Sequence, residues 1–284
     1  MWGSVAAVTT PMPPTLASVV GFLDDLYPPA WAEEWDRVGL VVGEPDARLR
    51  RMLCVVDCVP QTVAEAIRAG ADLILAHHPL LLRGVSSVAT TTYKGRIVHD
   101  LIRHETALYT AHTNADVAAP GVSDALAARL RLSEVRPLRP ASGAAAGPGR
   151  GVGRIGRLAE PLTLAELTEV AARLLPPTAW GVRAAGEPGR RIEIVAVCGG
   201  AGDAYLADAA AAGVDAYLTA DLRHHPVSEH LAAGGPALLD AAHWATERPW
   251  LDEPAELVRA AMGVDTIISE VPTDVWTLSH RGGS

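Results

Sequence analysis

Short apolar runs alternate with amphipathic segments along most of this 284-residue chain. The apolar runs are typical of buried strands, whereas the amphipathic segments carry apolar residues at helical spacing. Because strands that alternate with helices pair in parallel or mixed sheets, we expect an α/β protein with mixed sheets. The pattern predicts helices over 15–26, 60–69, 93–104 and 164–175, and strands over 52–56, 72–76, 107–111 and 192–197.

One strand–helix–strand unit occurs twice in the chain. The first copy begins at Arg51 and closes on His77-His78-Pro79, and the second begins at Arg191 and closes on His224-His225-Pro226. An Ala-Gly-x-Asp turn precedes the second strand of each copy. The repeat indicates two related α/β domains, although Ala-Gly turns are common enough in such units that chance similarity stays open.

A stretch rich in Ala, Gly and Pro over 139–153 has the composition of a flexible connector. The chain is therefore divided into a flexible tail over 1–14, a first α/β domain that carries most of the candidate metal ligands, a connector and a second α/β domain. The first domain covers 15–136 and 237–284, the connector covers 137–151, and the second domain covers 152–236.

The composition argues against two classes of partner. A net charge of −9 does not suit a dedicated binder of nucleic acid or of anionic membranes. The N-terminus lacks a signal-peptide pattern, and no apolar run is long enough to span a membrane. The odd, sparse cysteines Cys54, Cys58 and Cys198 indicate a reducing compartment. We therefore expect a cytoplasmic protein that acts on a small molecule.

Two adjacent histidines, His77 and His78, directly follow the apolar run of the third predicted strand. Ligands collect at the carboxyl ends of strands in open α/β sheets, and Asp116 follows another strand end. Since neighbouring residues of an extended segment point in different directions, the pair suits two metal ions, or one ion and one supporting role. The alternative is a histidine pair that only caps the strand through hydrogen bonds.

His243 and Glu247 form a second candidate pair near the C-terminus. If this segment is helical, their four-residue spacing places both side chains on one face, as in helical H-x-x-x-H metal sites. A surface pair without metal is the alternative. Three imidazoles and two carboxylates without thiolate could hold two Zn, Mn, Fe or Ni ions if one carboxylate bridges them.

The motifs of this chain, taken in order, resemble those of the Nif-three-like family, whose members are often described as GTP cyclohydrolase 1 type 2 homologs. The resemblance covers roughly residues 15–260. It is carried by Trp35-Asp36-x-Val38-Gly39-Leu40, Ala76-His77-His78-Pro79-Leu80, His112-Thr113-Asn114-x-Asp116, Gly199-Gly200-Ala201-Gly202 and His243-Trp244-x-Thr246-Glu247.

This resemblance implies a two-domain protomer with a dinuclear metal site in the cleft, assembled into a homohexameric ring. The implied metal ligands are His77, His78, Asp116, His243 and Glu247, with Asp116 as a candidate bridge. His225 matches a histidine-rich segment near that cleft, which makes it a speculative proton shuttle. His112 is expected to orient the loop of Asp116, or to make a simple strand-end hydrogen bond.

The resemblance also implies an activity, the ring opening of GTP by metal-bound hydroxide. Arg83, Lys94 and Arg96 are the candidate cations for the triphosphate. The Gly199–Gly202 segment either binds an anion through backbone amides or forms a tight turn. Two alternatives remain: a metal-binding regulatory or scaffold ring without turnover, and a dimetal phosphoesterase.

Overall fold

Two mixed β-sheets organise the computed structural model, which describes residues 12–280 and confirms the expected fold class. The strands are β1 (Gly39–Val42), β2 (Arg51–Asp57), β3 (Leu73–His78), β4 (Ala107–Thr110), β5 (Ser133–Pro140), β6 (Gly151–Thr163), β7 (Val182–Ala185), β8 (Arg191–Ala201), β9 (Ala216–Ala220), β10 (Ala237–Ala241) and β11 (Asp265–Ile268). The helices are α1 (Leu16–Leu26), α2 (Pro60–Ala69), α3 (Tyr93–Arg103), α4 (Thr113–Val117), α5 (Val122–Arg129), α6 (Leu164–Leu174), α7 (Leu206–Ala211), α8 (His224–Ala232), α9 (His243–Glu247) and α10 (Asp252–Met262).

Each sheet contains a parallel centre with at least one antiparallel edge strand. The first sheet has the order β1-β4-β3-β2-β11, in which only β1 is antiparallel to its neighbour. The second has the order β5-β6-β8-β9-β10-β7, with β8, β9 and β10 parallel. The carboxyl ends of the parallel strands therefore lie together along one edge of each sheet, where ligands of α/β proteins commonly bind.

Local signals set most of the helix boundaries. Thr15 caps α1 by accepting a hydrogen bond from the Ser18 amide at 3.2 Å. Pro60 opens α2, and Gly70 ends it in the left-handed region at φ 62°. The third strand differs from the prediction, because it continues through His77 and His78 instead of stopping at Ala76.

The strand pairing also divides the chain into domains at other residues than those expected from the composition. Much of the stretch read as a connector is ordered: β5 extends to Pro140 and pairs with β6. Strand β10, which was grouped with the first domain, pairs with β9 and β7 in the second sheet. Of the expected flexible tail, residues 1–11 lie outside the described part of the chain, and the Pro14 carbonyl accepts a hydrogen bond from the Leu49 amide at 2.9 Å.

The repeated unit has the same local structure in both halves. The Asp72 carboxylate accepts the amides of Arg50 and Arg51 at 2.7 and 2.9 Å. The Asp215 carboxylate accepts the amides of Glu193 and Ile194 at 2.9 and 2.8 Å. Each aspartate therefore ties the start of one strand to the start of the next, which supports the proposed relation between the halves.

A single apolar cluster takes side chains from both sheets. Alternate residues of β2 and β8 point into it, as the period of a strand requires. Trp250, which follows α9, is fully buried in the same cluster and packs edge-on against Tyr27 at 5.6 Å between ring centres. Because both sheets pack into this one core, the core holds the carboxyl-end edges of the two sheets next to each other. Within residues 12–280, no helix combines the length and apolarity that a membrane crossing requires.

Candidate metal centre

The sequence-predicted metal ligands come together where strand ends from the two sheets meet. His77 and His78 lie at the end of β3, and Asp116 lies in α4, just after β4. His243 and Glu247 come from α9, just after β10 of the second sheet. The core between the sheets thus brings residues far apart in sequence into one cluster.

His77 is buried and has one ring nitrogen without a partner. Its Nδ1–H donates to the Ala111 carbonyl at 2.9 Å, which leaves the Nε2 lone pair directed into the cluster. That Nε2 makes no hydrogen bond and lies 3.5 Å from Glu247 Oε1 and 3.8 Å from Asp116 Oδ1. A buried lone pair facing carboxylate oxygens is electrostatically unfavourable unless a cation lies between them.

His78 and His243 face each other across the cluster, with their Nε2 atoms 3.2 Å apart. The Nδ1–H of His78 donates to Asp57 Oδ1 at 2.7 Å, and that of His243 donates to Asp221 Oδ2 at 2.7 Å. Both rings are therefore fixed with their Nε2 atoms toward the cluster. Metal-binding histidines commonly have this arrangement, in which a carboxylate or carbonyl holds the opposite nitrogen.

Glu247 is the central carboxylate of the cluster. Its Oε1 lies 3.0 Å from His243 Nε2, and its Oε2 lies 3.1 Å from His78 Nε2 but makes no hydrogen bond. Asp116 contacts only His77 among the three ligand histidines and is further away. The geometry therefore suits Glu247 as the bridging ligand better than Asp116, which the sequence interpretation had placed in that role.

The electrostatics of the cluster reflect this crowding of imidazoles and carboxylates. Burial opposes charge on His243, but Glu247 and Asp221 outweigh it and raise the pKa of His243 to about 10. The pKa of His78 is likewise raised well above its usual value, since Glu247 and Asp57 overcome burial. Burial favours neutral Glu247, yet the three imidazoles hold its pKa well below the usual range. A divalent ion would displace these protons.

His112 also lies in the cluster, although the sequence placed it only as a supporting residue near Asp116. Nitrogen atoms of His77, His78 and His112 lie within 4.8 Å of one another, and atoms of His78, His243 and Glu247 form a second such group. The His112 Nδ1–H donates to Asp36 Oδ1 at 2.9 Å, and the His112 carbonyl accepts the Asp116 amide at 3.0 Å. His112 therefore presents a ring to the cluster, and its carbonyl makes the ordinary backbone hydrogen bond of the first turn of α4.

The Gly199–Gly202 segment contains the end of strand β8, whose pairing with β9 is irregular between Val197 and Ala201, and it passes close to the cluster. Gly200 has φ 67°, and a Cβ there would lie 2.4 Å from Glu247 Oε1 and 3.1 Å from His243 Nε2. The Gly200 amide donates to Thr246 Oγ1 at 2.9 Å, so it is not free to bind an anion. Of the two expectations for this segment, anion binding loses the Gly200 amide to Thr246, and the tight turn is replaced by an irregular strand end.

His225 is placed differently from the other candidates. It is exposed in the first turn of α8, and its ring packs against His224 at 5.2 Å between centres. Within residues 12–280, no hydrogen bond or ion pair joins His225 to the metal-ligand cluster. The residue that reaches His243 from this loop is Asp221, so His225 loses its support as a proton shuttle.

The residues fit a pair of divalent ions. Nitrogen and oxygen donors without thiolate suit the metals expected from the sequence, and the buried His77 Nε2 and Glu247 Oε2 are both without hydrogen-bond partners. The two overlapping groups of donor atoms share His78. This donor set would offer enough nitrogen and oxygen atoms for two divalent ions.

Comparison with known proteins agrees with this architecture. The family model described as Duf34/NIF3 (NGG1p interacting factor 3) matches residues 14–275. The chain belongs to this family. A Streptomyces coelicolor protein named "GTP cyclohydrolase 1 type 2 homolog" is 53% identical over 271 residues, covering 93% of this chain and 94% of the relative.

Other Duf34/NIF3 relatives extend the comparison. A Drosophila melanogaster protein named "NIF3-like protein 1" is 30% identical over 264 residues and covers 91% of this chain and 87% of its own length. Among solved structures, a Staphylococcus aureus hypothetical protein has a TM-score of 0.86 and 26% identity, covering 94% of this chain and all of that one. A Bacillus cereus protein related to NIF3 has a TM-score of 0.84 at 23% identity, covers 94% of this chain and 99% of its own, and supports the fold alone.

Sequence reasoning missed the carboxylates that hold the ligand histidines. Asp57 pairs directly with His78 in the β2–β3 ladder, and Thr273 also donates to the Asp57 carboxylate. Asp57 could have been found as the polar residue that ends the neighbouring predicted strand. Asp221 and Asp36 lie on irregular segments, and no periodic pattern connects them with His243 or His112.

Proposed function

We propose that this chain is a metal-dependent hydrolase that holds two divalent ions in the cluster and opens a nitrogen-containing ring of a small molecule. The observation that carries the proposal is the buried His77 Nε2, which faces two carboxylates while the Ala111 carbonyl fixes its other nitrogen. Family membership adds the name of the relatives, which indicates GTP as the first compound to test.

The proposed ligands divide into two sets that share Glu247. His77 and Asp116 belong to one set and lie beside His112, whereas His78 and His243 belong to the other. Bound ions would supply a water molecule of lowered pKa and would polarise the bond under attack. The protein itself fixes the rings, because Asp57 and Asp221 hold His78 and His243 by their Nδ1 atoms.

The guanine ring has more support as a target than the triphosphate has. Arg96 donates to the Thr90 carbonyl at 3.0 Å, and Lys94 lies over the Tyr93 ring at 5.9 Å. Arg83 is exposed. In the described range 12–280, no ion pair connects these three cations to the cluster. Their expected role in binding phosphate is thus left without structural support.

Metal content is the first test of the proposal. We expect elemental analysis of the purified chain to find about two ions per chain. His78→Ala should lower the metal content, because it removes a ligand of the set that contains His78 and His243. His104→Ala is the matched control, since His104 is exposed and its ring donates to the Asp100 carbonyl of its own helix. Purified chain without bound metal after reconstitution would refute the proposal.

Product analysis is the second test. The metal-loaded chain is incubated with GTP, with guanosine and with a generic phosphodiester. Formate release that disappears in His78→Ala and persists in His104→Ala supports ring opening. Phosphate release instead would indicate a phosphoesterase. If a metal-loaded chain released no product from any of the compounds, a regulatory or scaffold role would be favoured. We further propose a cytoplasmic location and a hexameric ring, as expected from the sequence.

A further inference from the structure

A cleft of about 650 Å³ opens beside the candidate metal centre, with Asp116 on one wall and Ala201 on another. Three aromatic side chains line it, namely Trp31, Trp35 and Tyr205. Clefts that bind small molecules commonly combine aromatic walls with a few polar groups. The position of this cleft makes it the place where a substrate would approach the cluster.

The three rings differ in how much of their surface is free. The Arg150 guanidinium lies 3.9 Å from the centre of the Trp31 ring, and that of Arg139 lies 4.7 Å from the centre of the Tyr205 ring. Each of these two rings therefore has one face covered by a cation. Trp35 is 55% exposed, although aromatic side chains of this size are usually buried.

Trp35 also lies next to the metal centre. Its ring meets the His112 ring edge-on, with 6.0 Å between ring centres. His112 in turn belongs to one of the two groups of potential ligands. A planar ring stacked on the open face of Trp35 would therefore lie beside the cluster, where the proposed hydrolysis takes place.

The charges in the cleft disfavour a phosphate chain. Glu33, Glu34 and Asp116 contribute carboxylates to its lining, and Arg139 is the cation among its lining residues. Arg139 is already paired, since its Nη2 lies 2.5 Å from Asp208 Oδ2. Substituents that extend from a stacked ring away from the cluster would meet the exposed Glu33 and Glu34. These carboxylates would repel a triphosphate but not an uncharged ribose.

We propose that this cleft binds an unphosphorylated planar nitrogen heterocycle, a nucleobase or a nucleoside, stacked on Trp35. This inference rests on the proposed hydrolase function and specifies its substrate class. The stacked ring faces the metal centre, and Glu33 and Glu34 select against phosphorylated forms of the same compound.

Calorimetric titration of the metal-loaded full-length chain tests this selectivity with guanosine, its monophosphate and GTP. We expect guanosine to bind most tightly and GTP about tenfold more weakly or worse, with the difference shrinking at high salt. The double variant Glu33→Gln/Glu34→Gln should tighten GTP binding and narrow the difference in affinity between GTP and guanosine. Glu169→Gln, an exposed carboxylate on α6, is the charge control.

Substitution of Trp35 tests whether the ligand stacks on this side chain. Trp35→Ala should weaken guanosine binding roughly ten- to hundredfold, which corresponds to the loss of one base-stacking contact. Trp35→Phe should retain most of the affinity. Trp276→Ala is the matched control, because Trp276 is 62% exposed and lies outside this cleft.

Three results would overturn the inference: GTP binding at least as tightly as guanosine, full affinity in Trp35→Ala, or no guanosine binding by a chain that retains its metal. Metal content is measured in the same samples after titration. A metal-loaded chain that prefers GTP refutes the substrate class alone. A chain that binds no metal refutes the hydrolase proposal and this inference with it.

Discussion

Gly200 offers a direct test of how closely β8 approaches the metal centre. In Gly200→Ala the new Cβ would lie 2.4 Å from Glu247 Oε1, about 1 Å inside ordinary van der Waals contact. Glu247 would have to move away from the position it shares with His78 and His243. We expect metal affinity to fall roughly 10- to 100-fold, the usual cost of disturbing a ligand's supporting contacts.

Backbone strain adds a separate, smaller effect that a second glycine can isolate. Gly200 has φ 67°, where an alanine costs about 1–2 kcal/mol and lowers the melting temperature by a few degrees. Gly213 has φ 68° and open space around its Cα, so Gly213→Ala carries the strain without the clash. Elemental analysis and thermal melts are compared for both variants. Equal metal retention by Gly200→Ala and Gly213→Ala would refute the argument that Gly200 is required by Glu247.

The remaining predictions concern the support of a ligand, a buried carboxyl group and the assembly. Asp57→Asn should reduce metal affinity roughly 10- to 100-fold, because the His78 ring loses its acceptor; Asp265→Asn, which breaks an exposed ion pair, should leave metal content unchanged. Burial and nearby Asp124 raise the pKa of Glu253 to about 7, so the folded state binds the extra proton and stability falls as pH rises from about 4.5 to 7. Glu253→Gln should therefore be more stable than the parent chain at pH 8, by about 2 kcal/mol once the shift is discounted for the partial exposure of the side chain, and nearly equal to it at pH 4, as measured by urea unfolding. Sedimentation should find a particle of six 29.7 kDa chains, and a monomer at working concentrations would contradict the hexamer.

The elements that the sequence predicted best are those with local boundary signals. Helix α2 was predicted over 60–69, because a proline opens it and a glycine closes it. Strand β3 was predicted to stop at Ala76, since histidines interrupt an apolar pattern. Its last residue instead pairs with Asp57 in the ladder, and His77 is buried by the core of the folded chain. Ladder pairing and tertiary burial are not local properties, so periodicity could not reveal them.

The candidate ligands could be selected from sequence because each has a strong local setting, at a strand end or at helical spacing. Their arrangement could not be selected in the same way. The central position of Glu247 depends on how α9 of the second half meets β3 of the first half. The same tertiary contact brings His112 within reach of the cluster. Local pattern thus selected the residues that meet in the cluster, whereas the packing of the two sheets determined which carboxylate lies at its centre.

The repeated unit places His225 differently from His78. The closing tripeptides agree in sequence, with His77 and His78 in the first half and His224 and His225 in the second. Counted from the structurally equivalent Asp72 and Asp215, however, the residue six positions on is His78 in the first half and Asp221 in the second.

The two equivalent positions carry complementary groups. His78 directs a lone pair into the cluster, and Asp221 accepts the Nδ1–H of His243 and so directs the lone pair of that ring into the same cluster. A histidine at position 221 would instead place a third imidazole against His243 and leave its Nδ1–H without a carboxylate. The two halves are therefore alike in fold but unlike in chemistry at this position, where the first half supplies a candidate ligand and the second supplies the carboxylate that orients another.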